Sequence, residues 1–259
     1  MAAEAGLEAY LSRPPAPADP SVLAAIDSGP ADPGGALPRE EIDRLRDPAP
    51  LTVENGWCTL PDGVGFVAVR TSMPAVTGEM VDWWFDWHPR DPLRYRIWHP
   101  LAHFSNSLEP PLEPSAKAHW GAVHHPVEDV GTGRVRARIA FVAPAELGFA
   151  DDALGDPHVA TIVCGWVGDE TRRVRHSVMA HVFLADGDGV VLRSHFWLGS
   201  AIRPYAPGVI AGLAEQVLNR PPVRRAALPA GLPQALARHC AEEYANLAAI
   251  LPELHATYA

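Results

Sequence analysis

The sequence predicts an α+β fold in which a long C-terminal helix lies across one face of a curved antiparallel sheet. Three observations carry that prediction. Between residues 116 and 199 four β-rich runs follow one another: AKAHWGAVHHPV, GRVRARIAFVA, VATIVCGWVG and RRVRHSVMAHVFLADGDGVVLRSHFWLG. Inside the last run, Asp186-Gly187-Asp188-Gly189 separates two period-2 segments with residues that accept positive φ, which marks a hairpin. After Pro204 the periodicity becomes helical, and LPQALARHCAEEYANLAAILPEL is amphipathic from about Pro233 to Leu251. Strands in series followed by a long helix are the pattern of a helix packed on an antiparallel sheet.

Taken in order, residues 1 to about 50 are dense in proline and alanine and read as an arm, with helix-like pieces at Ser21–Asp27 and Glu40–Leu45. From Asn55 the alternation GWCTLPDGVGFVAVRTSM predicts strands. Thr77 then caps a helix through MVDWWFDWHP that stops at Pro89. Trp83, Trp84, Phe85 and Trp87 crowd that helix, so they are assigned to core and cavity wall. The proline-rich EPPLEP is a turn before the strands begin. Beyond them VIAGLAEQVL is a second amphipathic helix. No internal repeat is present.

A chain of 259 residues with 47% hydrophobic content can bury one large core, or one main domain and a small appendage. A net charge of -10 with no Lys/Arg cluster offers nothing to phosphate backbones or anionic lipid, so nucleic acid and membrane surfaces are not expected partners. Cys58, Cys164 and Cys240 are odd in number and far apart, which indicates neither a disulfide framework nor a thiolate zinc site and fits a reducing cytoplasm. No secretory leader and no membrane-length apolar run is seen.

His239 and Glu243 stand four apart on the predicted terminal helix, so both side chains leave one face a turn apart and can grip a single ion. Exposed pairs at this spacing are common and weak. Here, however, Leu236, Leu247 and Ile250 share the stripe, and a carboxylate facing a core needs a cation or hydrogen bonds. Glu242 is the competing carboxylate. His99 and His103 offer two more imidazoles, and His124, His125 and Glu128 lie near a strand end. Alternation places His181 with Phe183 on one face of its strand and sets His195 and Phe196 on opposite faces. His158 and His176 are assigned to the surface. GxSxG, HExxH, Walker and GxGxxG signatures are absent, which removes the common hydrolase, zincin and nucleotide readings.

Five ordered motifs carry a resemblance: Glu79-Met-Val-Asp-Trp-Trp-Phe-Asp-Trp-His-Pro, Arg94-Tyr-Arg-Ile-Trp-His-Pro-Leu-Ala-His, Pro144-Ala-Glu-Leu-Gly-Phe, Ser194-His-Phe-Trp-Leu-Gly and His239-Cys-Ala-Glu-Glu-Tyr-Ala-Asn-Leu. From about Ser72 onward the chain resembles the 2,4-diacetylphloroglucinol hydrolase family, to which phloretin hydrolase belongs. The resemblance implies a Bet v1-like helix-grip catalytic domain over 71–259, with a small N-terminal region, 1–70, used for dimerisation into a homodimer. It implies one Zn2+ held by His103, Glu128, His239 and Glu243, with His103 chosen over His99 by its joint register with Tyr95 and Asn106. Tyr95 and Asn106 become substrate-binding residues, His181 a catalytic residue near the metal, and Glu128 a second catalytic candidate if it is loosely bound. Phe196 stands where the family carries a second substrate-binding tyrosine, so the acyl-phenol accepted here is expected to differ.

The implied reaction is zinc-assisted hydrolysis of the carbon–carbon bond between a phenolic ring and an acyl group, with activated water attacking the ketone. Two other readings fit the same fold class: a metal-free ligand-binding module or polyketide cyclase, and a zinc esterase acting on acylated phenols.

Overall fold

A computed structural model describes residues 2–206, 209–229 and 231–259. The chain begins with two helices, α1 (Ala2–Leu11) and α2 (Pro20–Asp27), and a 3-10 turn over Arg39–Arg46. Strands β1 (Gly56–Thr59) and β2 (Gly65–Met73) follow, then α3 (Gly78–Trp87) and α4 (Pro92–Trp98). Four short strands, β3 (His103–Ser105), β4 (Leu108–Glu109), β5 (Val123–His124) and β6 (Val127–Asp129), precede four long ones, β7 (Arg134–Phe141), β8 (Val159–Asp169), β9 (Val174–Asp186) and β10 (Gly189–Pro204). The chain closes with α5 (Val209–Leu218), α6 (Pro221–Ala227) and α7 (Leu232–Tyr258).

The strands form one antiparallel sheet in the order β1-β2-β10-β9-β8-β7-β5-β4, with β6 branching from β7 to carry β3. The predicted hairpin joins β9 to β10. Gly187, at φ 59°, takes the first turn position, where a side chain would be strained, and Asp186 pairs with Gly189 across it. The curved sheet grips α7, as the α+β reading anticipated. Thr77 caps α3, its hydroxyl accepting from the Met80 amide at 3.3 Å.

Two expectations need correction. The run 116–127 holds only β5 and the start of β6, because the chain turns through Lys117–Ala122 before it can pair. The terminal helix does not end near Leu251 but continues through Pro252. The lost helical hydrogen bond is offset by burial of Leu254 and by ring contacts of Trp83 with His255 and Trp87 with Tyr258.

The sheet buries both faces. On one, Val67, Val69, Phe183 and Leu192 pack against Ala237, Cys240, Tyr244 and Leu251 of α7, with α1, α2, α3 and α4 adding Tyr10, Ile26, Trp84 and Ile97. On the other, Phe66, Ala68, Cys164, Val182 and Trp197 are covered by Leu37, Ile42 and Leu45 from the proline-rich arm and by Leu147 and Phe149. Arg193, 3% exposed, fastens this cover: its guanidinium donates to the Ala49 carbonyl at 2.8 Å and to Glu54 at 2.9 Å. The division expected at residue 70 falls inside β2, and side chains from 1–70 enter both clusters.

Candidate metal centre and cavity

Sheet register and helix geometry bring four donors together. His103 opens β3 and lies directly opposite Glu128 of β6, so one cross-strand pair supplies an imidazole and a carboxylate. His239 and Glu243 come from one face of α7. The His103 Nε2 lies 3.4 Å from His239 Nε2, 3.4 Å from a Glu243 oxygen and 3.7 Å from a Glu128 oxygen. The same Glu243 oxygen is 3.7 Å from His239 Nε2. Donor atoms of His103, Glu128 and His239 fall within 4.8 Å of one another.

The outer partners orient these donors. His103 directs Nδ1 at the Tyr95 carbonyl, 3.1 Å away, which leaves Nε2 for the centre, and the Tyr95 ring stacks on the imidazole with centroids 4.0 Å apart. The Tyr95 hydroxyl donates to Glu128. His99 makes a separate pair with Glu242 at 3.6 Å, so the structure sorts the competing residues into two sets.

Burial dominates the electrostatics. It pushes the Glu243 carboxyl well above its ordinary range, with Glu128 adding to the effect, and it raises Glu128 against the opposing hydrogen bond from Tyr95. Burial lowers His103 well below the usual imidazole value and His239 to about 3. With His103 Nδ1 facing the Tyr95 carbonyl, its Nε2 can accept one long hydrogen bond from His239 at 3.4 Å, whereas a cation would use the lone pairs of both imidazoles. Among the described residues no Lys or Arg pairs with Glu128 or Glu243. A divalent ion would satisfy all four groups at once.

The cluster opens onto a mostly apolar cavity of about 340 Å³, the size of a small-ligand site. Tyr95, Asn106, Glu128, His181, Phe196, His239 and Glu243 all line it, whereas His103 sits behind them. Asn106 is 4% exposed, and both its side-chain atoms lack a protein partner. His181 directs Nδ1 at the Ser194 hydroxyl, 2.8 Å away on the neighbouring strand, and burial lowers it to about 3. Phe196 meets the His181 ring edge-on, centroids 5.4 Å apart. Of the aromatic segment assigned to core and cavity wall, only Phe85 lines the cavity, while Trp84 is buried in the core with Trp83 and Trp87 packed against it; Trp98, outside that segment, adds to the wall.

Several lining residues escaped the sequence reading. His176, assigned to the surface, is half-buried at the cavity with Nδ1 2.6 Å from the Ser177 hydroxyl, because β9 carries it inward. His88, His124 and Tyr244 also line the cavity. Alternation along β10 was the available signal for Ser194, which shares a face with Phe196.

A family profile described as DAPG hydrolase PhiG domain matches residues 37–256. The chain belongs to the DAPG hydrolase family. It is 32% identical over 255 residues to phloretin hydrolase from Eubacterium ramulus, covering 95% of this chain and 88% of that protein. It is 30% identical over 231 residues to 2,4-diacetylphloroglucinol hydrolase from Pseudomonas protegens, covering 83% and 72% of the two. Among solved structures, Ara h 8.0201 aligns with 73% of this chain and 99% of its own at a TM-score of 0.42 and 10% identity. Membership makes this family member one of a group of hydrolases. No helix among the described residues is long and apolar enough to cross a membrane.

Proposed function

We propose that the chain hydrolyses the carbon–carbon bond between a phenolic ring and an acyl group, that its substrate is an acylphloroglucinol-type compound, and that His103, Glu128, His239 and Glu243 hold a zinc ion. The observation that carries this reading is the meeting of a two-imidazole, two-carboxylate donor set with the end of an apolar cavity. Family relatives named for phloretin and 2,4-diacetylphloroglucinol hydrolysis support it. Zinc bonded to nitrogen or oxygen at roughly 2.0–2.1 Å in a tetrahedron requires donor atoms about 3.4 Å apart. Four of the six donor separations, at 3.4 to 3.7 Å, lie near that edge length, and Glu128 comes within 4.8 Å of His239. Such an ion would supply Lewis-acid polarisation of the ketone and a water of lowered pKa.

The protein's own groups do the rest. One water provides both halves of the reaction: hydroxyl to the carbonyl carbon, giving a carboxylic acid, and a proton to the ring carbon as the carbon–carbon bond breaks. A ring with hydroxyls ortho and para to the acyl group accepts that proton by passing through a dearomatised ketone. Asn106 offers a donor and an acceptor to ring oxygens, and Tyr95, which donates to Glu128, offers its oxygen lone pairs. His181, lining the cavity with its ring held by Ser194, is the candidate for proton transfer or for donation to the tetrahedral oxygen. Glu128, which would be one of the ion's ligands, would also be the carboxylate available to take up a proton. Phe196 contributes shape and no hydrogen bond of its own, so the acyl-phenol preferred here differs from that of relatives with a tyrosine at this position.

Pairing of two chains through residues 1–70 belongs to the same proposal, and light scattering should then give about twice 27.9 kDa. The three buried free cysteines suit a reducing cytoplasm. The reaction is tested by incubating the protein with 2,4-diacetylphloroglucinol and with phloretin and identifying the products by mass. The expected products are a carboxylic acid and a ring with hydrogen where the acyl group stood. Hydrolysis of acyloxyphenols alone, with both ketones left intact, would overturn the proposal in favour of an esterase.

A further inference from the structure

We infer that Tyr244 is an additional substrate-contacting residue, its hydroxyl hydrogen-bonding an oxygen of the phenolic ring on the wall formed by His181 and Phe196. This deepens the hydrolase reading above and rests on it for the identity of the ligand.

Tyr244 follows Glu243 on α7 and lines the cavity. Its ring lies 5.0 Å from that of His181 and 5.4 Å from that of Trp98, and the residue is fully buried. Its hydroxyl has no protein partner. Buried hydroxyls are normally bonded, and an unbonded one is costly. Neighbouring polar groups at the same depth show what a structural role looks like here. The Trp98 indole donates to the Glu243 carbonyl at 3.1 Å, and the Asn246 amide donates to the Ile97 and Trp98 carbonyls at 3.1 and 2.8 Å. Those groups tie α7 to α4. Tyr244 ties α7 to nothing through its oxygen.

The chemistry of the ligand gives that oxygen a use. A phloroglucinol ring bears oxygens at alternate carbons, so donors on a single wall cannot reach all of them. Tyr95 comes from α4 and Asn106 from the turn after β3, whereas Tyr244 comes from α7 and sits against His181 of β9. Phe196 offers no hydrogen bond, and the Nδ1 of His181 is taken by Ser194. The Tyr244 hydroxyl therefore adds a donor to a wall that is otherwise nearly apolar.

The test is Tyr244→Phe, measured on metal-loaded, full-length protein with phloroglucinol as binding probe. Metal stoichiometry and thermal midpoint should match the parent, since removing an unpartnered hydroxyl strands no group. The Kd for phloroglucinol should rise about tenfold, and kcat/KM for 2,4-diacetylphloroglucinol should fall about 10- to 100-fold. For 2-hydroxyacetophenone, which lacks the other ring hydroxyls, the fall should be under about threefold. Unchanged Kd and kcat/KM would overturn the inference, as would a lowered midpoint with unchanged Kd, which would make the hydroxyl structural. A parent protein that cleaves no acylphloroglucinol would defeat the hydrolase reading instead, and the phloroglucinol Kd would still decide whether Tyr244 makes the contact.

Discussion

His181 on β9 and His195 on β10 sit one register step apart, since His181 pairs with Ser194 and His195 with Ala180. Both are buried, and desolvation lowers both to about 3. They nevertheless serve opposite faces. His181 lines the cavity and is oriented by Ser194, beside Phe196 and Tyr244. His195 packs edge-on against Phe66 and beside Trp197 under the proline-rich cover, with neither ring nitrogen bonded. A depressed pKa therefore does not distinguish a cavity-lining histidine from a packed one in this protein. A cavity on one side of the ring and a fixed partner on the other do separate the two.

If that contrast is right, substitutions on the cavity face should damage chemistry and those on the covered face should damage only stability. The largest effect is expected from His239→Ala, which removes one donor of the cluster: bound metal should fall to background by elemental analysis, and turnover by about a thousandfold or more. Asn106→Ala should keep the metal and lose about a hundredfold in kcat, the usual scale for removing one well-placed hydrogen-bonding group. Loss of metal from that variant would place Asn106 among the ligands instead.

On the covered face, Arg193→Met leaves Glu54 and the carbonyls of the 45–49 segment without their buried donor. It should cost about 3 kcal/mol in denaturant titrations, with kcat of the folded protein unchanged. The mildest effect belongs to His195→Phe and appears only in acid. The folded-state pKa of His195, about 3, lies below its ordinary 6.5, so the unfolded chain takes up the proton first. The stability this group permits is complete above pH 6.5 and is lost as pH falls toward about 3, amounting to about 2 kcal/mol by pH 5. His195→Phe should flatten that part of the stability profile and leave turnover intact, and a drop in kcat would erase the distinction between the faces.

How much of this the sequence could show depends on whether the signal was periodic. The long strands, the hairpin at Gly187 and the stripe bearing His239 and Glu243 repeat with the period of their elements and were readable residue by residue. The arm was not. Leu7, Tyr10, Val22, Ile26 and Ile42 are buried but scattered among prolines, so nothing local announces that they complete two cores. Pro252 signalled an ending, and only tertiary contacts of Leu254, His255 and Tyr258 carry the helix past it. At the site, helix spacing indicated half of the donor set. The choice of His103 over His99 came from resemblance, and its physical basis, the cross-strand pairing with Glu128, exists only once β3 and β6 meet. Ser194 had only the alternation of β10 to point to it, and Tyr244 has no signature of its own, because what each can do depends on which side chains the fold places beside it.

The central claim, that the four-donor cluster works with the cavity as one catalytic centre, is tested most directly by metal removal and return. The protein is stripped with a chelator, assayed on 2,4-diacetylphloroglucinol, and then titrated with zinc. The account predicts no carbon–carbon cleavage in the stripped protein and full recovery at one zinc per chain. Undiminished turnover in protein shown by elemental analysis to contain no metal would contradict it.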